Sequence, residues 1–295
     1  MLTASNVQCP TCETTSRRSE ADWATVASSE REFEHERFSV WRCPACRCIH
    51  AHEDVDLGRY YERYGLHATE LDLLERLFYR NKLRFIRRHV DLDRASPVLD
   101  LGCGNGIFVD YLRRRGYTDV AGYDPYSRTH ADPDVLGRRY RLVLSTDVIE
   151  HVPSPAEHLE RACDQVAAGG YLYLQTPDAD HIDLARTASV RQVLQQPYHR
   201  HLVTAAWLSE RLGRLGFEPV ARTHRPYFHT RIPFLNLPTL DDYLERNGGL
   251  VALNEPFRWS SLRRPGFWWR GLTGGFVNPT DEVQLIFRRG APGAG

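Results

Sequence analysis

The stretch Val98-Leu99-Asp100-Leu101-Gly102-Cys103-Gly104-Asn105-Gly106-Ile107-Phe108 leaves this chain few ways to fold. Val98 to Leu101 is an apolar run that reads as a buried strand of a parallel sheet. Glycines at alternate positions then make a turn where a ligand can approach the backbone closely. Ile107, Val109, Tyr111 and Leu112 begin a helix that runs to Arg115 and stops at Gly116. The N-terminus of such a helix offers free N–H groups and a partial positive charge. The following strand, Val120 to Asp124, ends in an acid that can accept both hydroxyls of a ribose. Strand, turn and helix together make half of a nucleotide-binding βαβ unit.

The glycine spacing is G-x-G-x-G with an acid two residues before the first glycine, whereas the dinucleotide fingerprint is G-x-G-x-x-G. This pattern resembles the first motif of class I S-adenosylmethionine (SAM) methyltransferases. Two later stretches extend the resemblance. Asp147-Val148-Ile149-Glu150-His151-Val152-Pro153 ends an apolar strand as the family's fourth strand does, and Gly169 to Pro177 looks like the fifth. The run Ile149 to Pro155 is similar to ubiquinone-pathway O-methyltransferases and to sugar and natural-product methyltransferases. The resemblance covers roughly residues 60–288. It implies an α/β, Rossmann-like, seven-stranded sheet, mostly parallel with an antiparallel last strand. It also implies a SAM site lined by Asp100, Gly102, Cys103, Gly104, Gly106, Asp124, Pro125, Thr146 and Asp147. In similar enzymes a tyrosine from the preface reaches the methionine carboxylate. Tyr60, Tyr61 and Tyr64 stand there, with Tyr64 as the candidate and plain packing as the other role open to them. One departure stands out: the segment between Asp124 and Leu142 is too short for a full helix and a third strand. The acid that usually meets the adenine amino group is therefore in question.

The cysteines define a second feature. Cys9-Pro10-Thr11-Cys12 and Cys43-Pro44-Ala45-Cys46 are two C-P-x-C knuckles, and they read as a closed, structural zinc site. Cys48 is a spare thiol that could exchange with Cys46. The alternating run Arg37 to Arg42 reads as a strand leading into the second knuckle. So small a module buries little apolar surface, so metal would supply much of its folding energy. Removing the metal should unfold the ribbon and leave the larger body intact. Its mixed charges favour packing or dimerisation over nucleic-acid binding.

The whole chain carries 38 Lys plus Arg against 38 Asp plus Glu. Zero net charge argues against a nucleic-acid partner. No apolar run approaches the ~20 residues that span a bilayer, and no signal-peptide core is visible. The expectation is a cytoplasmic chain with no membrane partner, able to form a homodimer. The expected organisation is a zinc ribbon (1–52), a helical preface (53–95), a SAM-binding domain (96–225), an aromatic insertion (226–280), and a last strand with a disordered tail (281–295). The insertion, with Trp259, Trp268 and Trp269, can cap the acceptor, staple itself to the body, or both.

Methyl transfer from a sulfonium is an in-line displacement, so positioning dominates. A hydroxyl or acidic carbon acceptor also benefits from a base, and histidine suits neutral pH. His151 and His201 are the candidates on the expected rim, with His199 beside them. A second possibility is a divalent metal at Asp147, Glu150 and His151, as the resemblance to the ubiquinone-pathway enzymes implies. The expected activity is methylation of O or C on a small-molecule acceptor, a sugar nucleotide or natural-product intermediate. The alternatives are an rRNA methyltransferase using the ribbon for RNA recognition, and a non-catalytic scaffold.

Overall fold

The structure is a computed structural model that describes residues 6–61, 71, 73–186, 190–253 and 255–290. The N-terminal strands are β1 (Asn6–Gln8), β2 (Thr15–Arg17), β3 (Asp22–Ala27), β4 (Arg37–Arg42) and β5 (Ile49–Ala51). β1 and β2 form the hairpin that carries the first knuckle. The strand expected at Arg37 to Arg42 is β4, and it delivers Cys43 to the second knuckle. A short helix α1 (Gly58–Tyr61) and the long α2 (Leu73–His89) follow. Both helices fall within the stretch expected to be a helical preface, and α2 buries Lys82, Leu83 and Ile86.

The body alternates β6 (Val98–Leu101), α3 (Ile107–Arg114), β7 (Val120–Tyr123), β8 (Tyr140–Thr146), α4 (Pro155–Gln165) and β9 (Val166–Pro177). After α5 (Arg191–Leu194) and β10 (His201–Leu202) come α6 (Ala205–Arg214), β11 (Phe217–Thr223), α7 (Leu237–Asn247), α8 (Pro265–Thr273) and β12 (Glu282–Arg289). The large sheet has six strands in the order β11-β12-β9-β8-β6-β7. β6 to β9 pair in parallel, and β12 runs antiparallel to both its neighbours.

The seventh strand is missing among the described residues. Where a helix and third strand would stand, a single 3-10 turn, Pro133–Gly137, is capped by the Asp132 carboxylate on Asp134 N–H. This segment is too short to cross the sheet, so β7 is left as its edge.

Alternate residues of each strand feed two cores. Leu99, Val143, Leu172 and Leu285 pack with Leu159 of α4 and Leu208 of α6. Val98, Leu142, Tyr173 and Ile286 pack with Leu83 of α2 and Val109 of α3. Burying a Leu or Val side chain contributes about 1.5–3 kcal/mol, so this three-layer body has a core of its own.

The ribbon is not a separate appendage. Its four-stranded sheet runs β10-β5-β4-β3, and β10 comes from the body. His201 pairs with His50 and Leu202 with Ile49. Cys48 packs in the main core. Trp207 of α6 donates its indole N–H to Thr11 O at 3.3 Å. The boundary expected at residue 52 is therefore crossed by hydrogen-bonded strands.

Candidate active site at the C-terminal edge of the sheet

β6 ends where three left-handed glycines begin: Gly102, Gly104 and Gly106 have φ of +85°, +53° and +76°. Two of them are also closely covered by side chains. A Cβ on Gly102 would sit 2.3 Å from Val148, and one on Gly106 would sit 2.0 Å from His130 Nε2. Gly106 caps α3 without any side-chain partner. Asp124, just past β7, accepts Gly104 N–H at 3.0 Å and Tyr126 N–H at 2.9 Å. The cradle is thus bridged by the acid expected to meet a ribose. Pro125 and Tyr126 are exposed beside it. Cys103 fits because Gly122 opposite it lacks a side chain: a Cβ there would meet its Sγ at 2.8 Å.

Asp100 and Thr146 lie deeper. Asp100 is buried, which raises its carboxyl above the usual range, while Lys82 opposes that shift. Lys82 was not singled out by sequence reasoning. It is fully buried, donates to Thr146 Oγ1 at 2.7 Å and lies 4.1 Å from the Phe108 ring centre. The signal available was a lysine at the apolar spacing of Leu83 and Ile86. His130, from the truncated third-strand segment, covers Gly106.

Asp147, the residue after β8, lies in the left-handed region, φ +54°, a strained setting for a non-glycine residue. Its carboxylate accepts Gln175 Nε2 at 3.3 Å. Burial pushes its pKa up to about 6, with Lys82 and Gln175 opposing. The Pro153-Ser154-Pro155 run proves to be a helix start, in which Ser154 caps α4 by accepting Glu157 N–H.

Glu150, His151 and His199 converge, with ligand-capable atoms all within 4.8 Å of one another. Asp147 is outside this group, so His199 stands where the sequence suggested Asp147. Thr176 donates to Glu150 Oε2 at 3.1 Å. Burial raises the Glu150 carboxyl well above its usual range. His151 Nδ1 lies 3.2 Å from Tyr198 O, and His199 Nδ1 lies 2.7 Å from Val193 O. A carbonyl only accepts, so Nδ1 carries the proton in both rings and Nε2 is the basic atom. Burial lowers His151 to about 4, so it is neutral at physiological pH.

His201 has other partners. Its Nε2 meets Pro153 O at 3.1 Å and its Nδ1 meets His50 Nδ1 at 3.1 Å. His50 Nε2 in turn lies 3.2 Å from Cys9 Sγ. Both ring nitrogens of His201 are engaged, one with His50 of the ribbon and one with the loop after β8.

The four expected cysteines, Cys9, Cys12, Cys43 and Cys46, form one cluster, with Sγ atoms all within 4.8 Å. Cys9–Cys46 and Cys12–Cys43 are 3.5 and 3.7 Å apart. Tetrahedral Zn–S bonds of about 2.3 Å imply S···S separations of about 3.8 Å. Each knuckle closes alike: Glu13 N–H donates to Cys9 O, Arg47 N–H donates to Cys43 O, and both donors have positive φ. Cys48 is not in the cluster. Tyr64 lies outside the described residues. Tyr60 instead packs with Phe33, Phe38 and Tyr198 and donates to Glu36 at 2.5 Å.

An open, largely parallel sheet with a glycine turn and acid at its C-terminal edge defines a nucleotide-cofactor-binding α/β protein. The methyltransferase domain family matches residues 73–222, just over half of the chain. The chain belongs to this methyltransferase family. It is 29% identical over 167 residues to a ubiquinone biosynthesis O-methyltransferase of Roseobacter denitrificans, covering 45% of this chain and 66% of that protein. It is 28% identical over 196 residues to the same-named protein of Dinoroseobacter shibae, covering 56% and 76%. The first of these is thus spanned over slightly less than two thirds of its length. Among solved structures, an S-adenosylmethionine-dependent methyltransferase from Mesorhizobium loti is similar at 16% identity and a TM-score of 0.43, covering 71% of this chain and 98% of that one.

Proposed function

We propose that this chain transfers a methyl group from SAM to an oxygen or carbon of a small-molecule acceptor. The observation that carries this reading is the cradle: three left-handed glycines at the start of α3, bridged by Asp124. Asp124 would hold the ribose hydroxyls, Asp100, Asp147 and Thr146 would line the methionine end, and His151 Nε2 would take the acceptor proton. When bound, SAM supplies an electrophilic methyl on a sulfonium that leaves as a neutral thioether. The protein's share is to position the nucleophile within about 3–3.5 Å and to receive its proton. Relatives named for ubiquinone biosynthesis favour an O-acceptor.

A structural zinc at Cys9, Cys12, Cys43 and Cys46 is part of the proposal. As thiols, Cys9, Cys43 and Cys46 resist ionisation: Cys9 is pushed up to about 12, first by its hydrogen bond with Cys46 and then by burial. A divalent ion that takes four thiolates reverses that preference. The convergence of Glu150, His151 and His199 favours a second reading, in which a divalent ion orients the acceptor oxygens. The RNA alternative is not carried forward, because three of the ribbon's arginines are engaged with other parts of this chain. Arg42 donates to Ala179 O and Ile182 O, Arg47 pairs with Asp180, and Arg31 pairs with Glu255.

The test is SAM binding by calorimetry, followed by product formation over a panel of phenolic, sugar-nucleotide and carbon-acid acceptors, with and without chelator. No SAM binding by folded protein overturns the proposal. Activity surviving chelation removes the second reading.

A further inference from the structure

The acids at the C-terminal edge of the sheet fall into two sets. Lys82 serves the first: its charge acts on Asp100 and Asp147, on the side proposed for the cofactor. The second set is centred on Glu282. β12 runs antiparallel to β9, so its first residue, Glu282, stands opposite Pro177, at the edge where β8 and β9 end. Side chains alternate along a strand, so Glu282 shares a face with Gln284. Gln284 accepts the Tyr173 hydroxyl at 2.7 Å and pairs in register with Gln175, which in turn holds Asp147. Glu282 and Asp147 therefore border the same face of the sheet.

Glu282 Oε2 is buried and has no hydrogen-bond partner among the described residues. The charges that act on this side chain are Asp147, Glu150, Asp281 and Asp241, all of them acids. Burial, and then these neighbours, hold its carboxyl well above the usual range. A buried carboxyl with an unpartnered oxygen is costly, so its presence calls for a partner. Glu282 lies outside every group of side chains close enough to share a metal ion among the described residues. The half-buried Tyr227 is near both acids: the charges of Asp147 and Glu282 reach it, and its ring stacks on Tyr79 at 5.9 Å.

Tyr227, Asp241, Asp281 and Glu282 all follow residue 222, where the family match ends. Residues outside the shared domain suit recognition of an acceptor better than recognition of a shared cofactor. Trp259 and Trp269, by contrast, stand 75% and 71% exposed.

We propose that Glu282 selects an acceptor that carries an ammonium group, which enters beside Asp147 and pairs with the unpartnered carboxylate oxygen. This inference rests on the methyl-transfer reading and names the class of its acceptor. A charged N–H···O bond is stronger than a neutral one, and the Tyr227 ring gives the acceptor's body a face to pack on. An ammonium nitrogen has no lone pair, so it is a handle and not the atom methylated. The methyl goes to an oxygen or carbon elsewhere on the molecule.

The test titrates the full chain, saturated with S-adenosylhomocysteine, with two trios of probes by calorimetry. One trio is dopamine, 4-ethylcatechol and 3,4-dihydroxyphenylpropionate; the other is glucosamine, glucose and glucuronate. Each trio keeps one body and takes its charge from positive through neutral to negative. In at least one trio the cationic member should bind about tenfold or more tighter than the other two. Glu282→Gln keeps the shape, removes the charge and should erase that preference, with affinity for S-adenosylhomocysteine unchanged. Its melting temperature should not fall, because the replaced oxygen has no partner to lose. The proposal is overturned if no cationic probe binds, if neutral or anionic probes bind as well, or if Glu282→Gln keeps the preference or melts lower. Each of those results leaves the methyl-transfer reading standing. Failure of S-adenosylhomocysteine to bind the folded wild type overturns that reading, and this inference falls with it.

Discussion

The cysteine ribbon and the glycine cradle each gather backbone and side chains around a ligand, and they do so in opposite ways. The cradle is set by a sheet that has its own core. The ribbon buries Cys9, Trp41 and Cys43 in a small cluster and borrows the rest of its support. β10 completes its sheet, and Cys48 lies in the body's core. One ligand would be used for chemistry and the other for folding. The weld between them, from Cys9 through His50 and His201 to Pro153, makes the second matter to the first.

The largest expected effect breaks the ribbon. Structural zinc contributes about 10–16 kcal/mol in small zinc modules, comparable to the whole stability of a domain. Cys43→Ser should abolish zinc binding in metal analysis. Because β10 and Trp207 would lose their partners, melting should fall by about 10 °C or more. An unchanged melting temperature would mean that the ribbon is a mere appendage.

Next comes the chemistry at the edge of the cradle. His151→Ala should lower kcat by about 10²–10⁴-fold with little change in SAM affinity, the signature of a lost base. A variant that keeps most of its rate would leave proximity alone to drive transfer. Within the cradle, Asp124→Ala should weaken SAM binding tenfold or more. Hydrogen bonds to a charged acceptor are worth roughly 1.5–3 kcal/mol each. Calorimetry on the folded variant decides this.

The ways in which these regions were legible differ for the same reason. The cradle's glycines, its acid and both knuckles are local in sequence, so their spacing alone located β6, α3, β7 and the four cysteines. The missing third strand was also readable, as a length too short for a helix and a strand. What the sequence hid is what depends on contacts between distant segments. His199 meets His151 and Glu150 only because the segment after α5 folds back under the β8 loop. His201 looked like a rim residue, yet strand pairing with His50 turns it to the ribbon. Lys82 reads as surface charge on a helix until α2 packs it over Phe108.

A smaller effect tests the weld itself. His201→Ala removes a partner from both His50 and Pro153 O. Leaving buried polar groups unsatisfied costs about 1–3 kcal/mol, so chemical denaturation should show a loss in that range. The rate per folded, zinc-loaded molecule should stay close to that of wild type. A loss of rate as large as that of His151→Ala would return His201 to the list of bases.

The smallest effect is a slope against pH, and it separates the two regions by sign. Burial raises Asp147 from its ordinary value to about 6. Between pH ~4 and ~6 the folded chain therefore keeps a proton that the unfolded chain has released. Stability contributed by this one group is greatest in acid and is lost as pH rises through that window. Its use as a carboxylate beside the SAM amine runs the other way, because only the ionised form attracts a cation. SAM affinity should rise by no more than tenfold per pH unit up to about pH 6 and level off above it, since one proton is involved. Loss of zinc in acid would instead lower affinity and stability together, so metal content must be followed in the same titration. Asp147→Asn should flatten the affinity slope while zinc stays bound. If the slope persists in that variant, another group governs it, and Asp147 is not the residue that meets the cofactor's charge.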